Sequence, residues 1–124
     1  MTPFGHRVRE LRAERSITQK QMAADLGISA PYLSALEKGN RGAPSWHFVQ
    51  RVIGYFNIIW DDSEELQSLA LRSHPKAVID TTNLSADATE LANLLAERIG
   101  HMKKNDILEM IHEIKVRSNR GGFR

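Results

Sequence analysis

The chain contains no cysteine, and that one absence removes disulfide bonds, thiolate metal sites and thiol nucleophiles together. No apolar run approaches the ~18 residues that a membrane-spanning helix needs, and the start, Met1-Thr2-Pro3-Phe4-Gly5-His6-Arg7, lacks the hydrophobic stretch of a secretory signal. A cytoplasmic protein is expected. Catalytic signatures are also missing: no glycine-rich phosphate loop follows a strand pattern, and no Gly-x-Ser-x-Gly occurs. The histidines His6, His47, His74, His101 and His112 are scattered, with no i, i+4 pair and no third ligand at metal-site spacing. His112 between Glu109 and Glu113 reads as solvated helix surface. Neither an enzyme nor a cofactor or metal site is expected.

What is present is helix punctuation. At 124 residues and 41% hydrophobic composition, the chain can build one core, or a small domain with an appendage. Between Thr18 and Gly39 it spells two short capped helices joined by a tight turn. Thr18 is placed to cap the first, with Gln21 reaching back to its amide, and Met22, Ala23 and Leu26 line one face. Gly27 stops that helix, Ile28 tucks inward, and Ser29 caps a second helix whose Leu33 and Leu36 face the first and which Gly39 closes. Two helices crossing steeply leave the second protruding, with its N-terminal side chains free to enter a DNA major groove.

With Val8, Leu11 and Arg12 upstream and Leu33-Ser34-Ala35-Leu36-Glu37-Lys38-Gly39-Asn40-Arg41 downstream, residues 3–72 resemble the Cro/C1 (Xre-type) DNA-binding domains of phage and bacterial repressors. The resemblance implies an all-α chain: a five-helix, lambda-repressor-like DNA-binding domain, followed here by a C-terminal pair of amphipathic helices. It also implies that Gln19 binds phosphate from the start of the second helix, that Arg12 pairs with Glu37 near the DNA, and that Ala30, Pro31, Tyr32, Ser34 and Ala35 lie on the part of the third helix that meets bases or adjacent backbone; Ser29, its cap, is also expected to bind DNA. Lys20, Lys38, Asn40 and Arg41 complete the expected DNA-binding set. Phage members often carry Gln or Asn where this chain has Ala30, Pro31 and Ala35, so the operator sequence stays open. Those three offer no hydrogen bonds and can meet only thymine methyls or DNA shape, which leaves Tyr32, Ser34, Lys38 or Asn40 for polar contacts.

Charge is distributed unevenly. Residues 1–51 hold eight Lys and Arg against four Asp and Glu, a net +4, whereas residues 52–73 hold one against four, a net −3. The fifth helix should therefore face away from phosphate.

The remaining segments read as helix. Thr2-Pro3 opens a first helix with Phe4, Val8 and Leu11 on one face, ending near Arg15. Pro44-Ser45 opens a fourth with Val49, Val52, Ile53 and Phe56 inward; Trp46 and Phe48 either pack inward or lie against the duplex. A fifth is expected to start at Asp61 or Asp62, burying Leu66, Leu69 and Ala70, with Trp60 before the cap as a core anchor. The expected domain boundaries are 1–73 for the DNA-binding part, 74–83 for a linker or short extended arm that includes Val78 and Ile79, 84–116 for a helical segment, and 117–124 for a disordered tail. In the helical segment Ser85 caps a sixth helix with Leu91, Leu94, Leu95 and Ile99 inward, stopped by Gly100. Asn105 or Asp106 starts a seventh with an Ile107, Met110, Ile111, Ile114 stripe.

These two stripes need a partner surface. The preferred reading is homodimerisation through Leu91, Leu94, Leu95, Ile107, Ile111 and Ile114, because helix-turn-helix proteins read paired half-sites with matching two-fold symmetry. The alternative is a monomer whose tail completes the core. The expected function is sequence-specific regulation of transcription, as a repressor on an inverted-repeat operator in double-stranded DNA. An antitoxin whose C-terminal segment grips a toxin or other regulatory protein, and an interaction adaptor without DNA binding, are the other classes.

Overall fold

A computed structural model describes residues 1–119, and among them the chain is all-helical, with seven α-helices and no strand. They are α1 (Pro3–Glu14), α2 (Gln19–Leu26), α3 (Ala30–Lys38), α4 (Trp46–Phe56), α5 (Trp60–Leu71), α6 (Ala86–Arg98) and α7 (Lys104–Ser118), with a 3₁₀ turn, Ile99–His101, between the last two. The chain divides into two compact units, Met1–Ala77 and Val78–Arg124.

In the first unit, hydroxyl caps set the helix starts. Thr2, Thr18, Ser29 and Ser45 each stand in extended backbone and accept from the amide three residues on, at 3.0, 2.9, 3.2 and 3.1 Å. Gly27 ends α2 in the left-handed region (φ 74), and the amide of Ile28 folds back onto Ala23 O at 2.9 Å, so the chain turns within three residues. The core gathers Phe4, Val8 and Leu11 of α1, Met22 and Leu26 of α2, Leu33 and Leu36 of α3, four residues of α4, and Leu66 with Ala70 of α5. Leu33 and Val52 are fully buried, each contributing about 1.5–3 kcal/mol of transfer free energy. Ser73, just past α5, closes the unit: its hydroxyl accepts from Phe4 N at 3.0 Å and donates to Leu69 O at 2.6 Å.

Several details depart from the sequence pattern. Trp60 is not a core anchor: it is the first residue of α5, 80% exposed, with left-handed backbone (φ 56). Six residues, about 240° of helix rotation, separate it from Leu66, so the face that buries Leu66 turns Trp60 outward. Asp61 and Asp62 are first-turn residues rather than caps, and Leu69 is half-buried. Gln21 does not reach back to Thr18; it donates to Asp25 Oδ1 at 2.7 Å, an i, i+4 pair that wins over the return bond. Phe48 is buried, while Trp46 is 71% exposed.

In the second unit, Val78 and Ile79 form no strand. Asp80 closes a turn by accepting from Thr82 Oγ1 at 2.5 Å and from Thr82 N at 2.9 Å, and those hydrogen bonds, the hydroxyl's first, hold its carboxyl below the usual range. Ser85 caps α6, which passes into the 3₁₀ turn before Gly100 instead of stopping there. No side-chain oxygen caps α7: Lys103 occupies the N-cap position and Asp106 sits in the first turn. The helix continues through Arg117, which donates to Glu113 at 2.6 Å, and Ser118, both expected to be tail; residues 120–124 of that expected tail lie outside the described residues. No residue of α6 or α7 is buried, so the stripes expected to face inward, Ile99 at 48% exposure among them, are largely open.

Candidate nucleic-acid interface

The protruding element is α3. Leu33, Leu36 and Glu37 are its buried side; Pro31, Tyr32 and Lys38 are exposed, and Ser34 and Ala35 half-buried. Ala30 packs against the core at the start of the helix, so it presents less outer surface than Pro31. Ser29, at the cap, is exposed, as are Lys20 on α2 and Asn40 and Arg41 just beyond α3.

Behind this face lies a buried polar cluster. Glu37 is 1% exposed and Arg12 5%. The Glu37 carboxylate accepts from both terminal nitrogens of Arg12, from Nη1 at Oε2 and from Nη2 at Oε1 (3.2 Å), a two-pronged pairing that fixes both side chains. Its Oε1 also accepts from Gln19 Nε2 at 3.1 Å, and Arg12 Nη1 lies 3.7 Å from Met22 Sδ. The Glu37 carbonyl accepts from Thr2 N at 3.1 Å and Thr2 Oγ1 at 3.0 Å. Gly5 permits this approach, since a Cβ there would stand 2.0 Å from that carbonyl oxygen. Helices α1, α2 and α3 thus meet at one residue, and removing Glu37 would strand a buried guanidinium.

A second clasp holds the far end of α2. Arg51 of α4 donates to Leu26 O, one of the carbonyls that a helix end leaves unpaired. Tyr55 donates to Asp25 Oδ2 at 2.6 Å; burial, then this hydrogen bond, pushes the phenol up to about 12. Spacing alone gives no sign of either contact.

The clasps sort the cations of residues 1–51. Arg7 faces Glu10, Glu14 and Glu65, Arg12 faces Glu37, Arg15 reaches Phe56 O at 3.3 Å and lies over its ring, and Arg51 holds Leu26. Lys20, Lys38 and Arg41, with Arg9, are in no ion pair among the described residues. Three of the four uncommitted cations therefore belong to the α2–α3 region, where their charge is available to an anionic partner. The Arg41 guanidinium carbon lies 4.8 Å from the centre of the Tyr32 ring, another contact without a sequence signal.

The candidate dimer residues belong to the second unit. Leu91, Leu94, Ile111 and Ile114 are 61, 47, 43 and 58% exposed, and Leu95 and Ile107 are half-buried. An open apolar cleft of about 320 Å³ runs between Leu91, Leu94, Leu95, Met102 and Met110. No cluster of metal-ligating side chains occurs among the described residues, and none of their helices is long and apolar enough to cross a membrane.

Comparison with known proteins agrees with this geometry. Residues 3–57 match the family described as helix-turn-helix domain, and the segment is such a domain. Over 118 residues the chain is 26% identical to the uncharacterized HTH-type transcriptional regulator RghRB of Bacillus subtilis (strain 168), a match spanning 86% of this chain and 85% of the relative. Over 119 residues it is 29% identical to the HTH-type transcriptional repressor RghR of the same strain, spanning 90% and 88%. No solved structure matches. The chain thus carries an N-terminal helix-turn-helix domain and is distantly homologous to bacterial HTH-type transcriptional regulators.

Proposed function

We propose that this chain is a sequence-specific transcriptional repressor that lays α3 in the major groove of double-stranded DNA and binds an inverted-repeat operator as a homodimer. The observation that carries the reading is the sorting of charge: four of the eight cations in residues 1–51 are committed to acceptors in the protein, while Lys20, Lys38 and Arg41 are left uncommitted beside the exposed face of α3. Gln19 supports it. Its amide carries two N–H groups, one spent on Glu37, and the other is free for a phosphate oxygen at the start of α2. Pro31, Ser34 and Ala35 are small enough for α3 to sit deep, with thymine methyls and groove shape carrying part of the specificity. The relative named a repressor favours that sign of regulation.

Pairing of two copies is supported by the open Leu91, Leu94, Ile111 and Ile114 surface, which a second α6–α7 hairpin would cover symmetrically. The test is selection from random duplexes followed by titration. Enriched sequences should be inverted repeats with half-site centres about one helical turn, ~34–36 Å, apart or a multiple of it. Affinity should fall with salt by ~0.9 in log K per phosphate neutralised. Failure to enrich any sequence, with binding flat in salt, would overturn the proposal.

A further inference from the structure

The loop after α3 is tightly built. Gly39 (φ 84) leaves the helix, Asn40 N returns to Ala35 O at 3.0 Å, and Gly42 N closes onto Gly39 O at 2.9 Å with Gly42 also left-handed (φ 81). Asn40 and Arg41 are the two central residues of that turn. Six residues of helix, about 9 Å of rise, separate Tyr32 from Lys38 at the end of α3, a span that the side chains of Tyr32 and Arg41 bridge from opposite ends. They meet with the guanidinium carbon 4.8 Å from the ring centre. The two side chains line an open cleft of about 350 Å³ together with Leu36, Phe48 and Ser45, the cap of α4.

Cation–π attraction uses the charge of a guanidinium and none of its five N–H donors. An arginine held this way keeps its hydrogen-bonding edge for a phosphate, while its long stem no longer samples every rotamer. We infer that Tyr32 is a positioning residue, whose ring holds Arg41 at the mouth of the α3–α4 cleft so that the guanidinium meets a DNA phosphate already oriented; this rests on the DNA-binding reading above. The assignment separates the two parts of Tyr32: its ring acts through Arg41, and its hydroxyl is dispensable for general DNA affinity.

The experiment measures binding of the full chain to a mixed-sequence duplex across a salt series, for the wild type and the Tyr32→Ala, Tyr32→Phe, Arg41→Ala and Tyr32→Ala/Arg41→Ala variants. Arg41→Ala should weaken binding and lower the slope of log K against log salt by ~0.9, one phosphate lost. Tyr32→Ala should weaken binding roughly two- to fivefold, the size of an exposed cation–π pair, without changing the slope. Tyr32→Phe should restore affinity, and the double variant should bind no worse than Arg41→Ala alone. A Tyr32→Ala loss that persists undiminished in the Arg41→Ala background, or no loss at all, would overturn the inference. A second readout needs no DNA: in the full-length protein the Arg41 δ-methylene protons should be shifted upfield by the ring, in the wild type and in Tyr32→Phe, and should return to ordinary values in Tyr32→Leu. Unshifted wild-type protons would overturn the positioning role by themselves. A wild type that binds no duplex while the ring shift is present would instead overturn the DNA-binding reading, and the phosphate role of Arg41 with it.

Discussion

The two units of this chain use the same residues to different ends. Residues 1–77 carry Leu, Val and Phe at helical spacing and bury fourteen apolar side chains, whereas α6 and α7 carry Leu and Ile at the same spacing and bury none. The difference lies in how many faces are available. Five short helices crossing at several angles cover one another's stripes from every side; a two-helix hairpin can cover each stripe only once. The first unit covers the core-facing stripes of its helices, though Trp46, Trp60 and Leu71 stay exposed, and it presents uncommitted cations beside α3. The second exposes its apolar surface, and on our reading that surface is where two copies of the chain meet.

The largest effect should come from deleting the second unit. A chain ending after Ala77 should still fold cooperatively, yet lose ~10²–10⁴-fold in affinity for an inverted repeat, because its two modules are no longer linked. Equal affinity of the short and full chains would erase the contrast. Glu37→Ala, which leaves Arg12 buried without its partner, should destabilise the first unit by about 3–5 kcal/mol in chemical denaturation. Glu37→Gln should cost less, and a Glu37→Ala loss under 1 kcal/mol would show that the clasp is ornamental.

Core substitutions sharpen the comparison further. Leu33→Ala should cost about 2–5 kcal/mol at any protein concentration, since its cavity lies inside one unit. Leu94→Ala should leave the first unit's stability intact and lower the midpoint of the second, which on the dimer reading rises with protein concentration in wild type and variant alike. The smallest expected effect is at Tyr55. Its phenol is held neutral up to about 12 against an ordinary 10.0, so its contribution is full below pH 10 and lost as pH rises toward 12. Tyr55→Phe should accordingly cost about 1 kcal/mol at neutral pH, a difference that shrinks over that window.

Much of the first unit was legible because its signals are local. Thr18, Ser29 and Ser45 mark helix starts through their own hydroxyls, Gly27 and Gly39 mark ends through left-handed backbone, and each acts within three or four residues. Trp60 was misread for the same reason. A hydrophobic residue just before an acidic cap pair looks like a core anchor, but helix phase relative to Leu66 decides burial, and phase depends on where the helix begins. The contact between Arg12 and Glu37, 25 residues apart, follows from no spacing rule and was anticipated only through family resemblance. Arg51 on Leu26 O, Tyr55 on Asp25 and Arg41 over Tyr32 had no such help, since each joins elements whose packing angle the sequence does not print. In the second unit Ser85 is readable from its own hydroxyl, whereas on the dimer reading the covering of Leu91 and Ile114 depends on a second chain that no spacing within one chain reports.

The central claim is that one unit reads DNA while the other pairs the readers. Sedimentation of the full chain with the duplex obtained by selection tests it most directly. The account predicts two chains per inverted repeat, assembling without a populated one-chain complex; a complex of one chain per duplex, with the unbound protein monomeric at tens of micromolar, an order set by ordinary interface affinities, would contradict it.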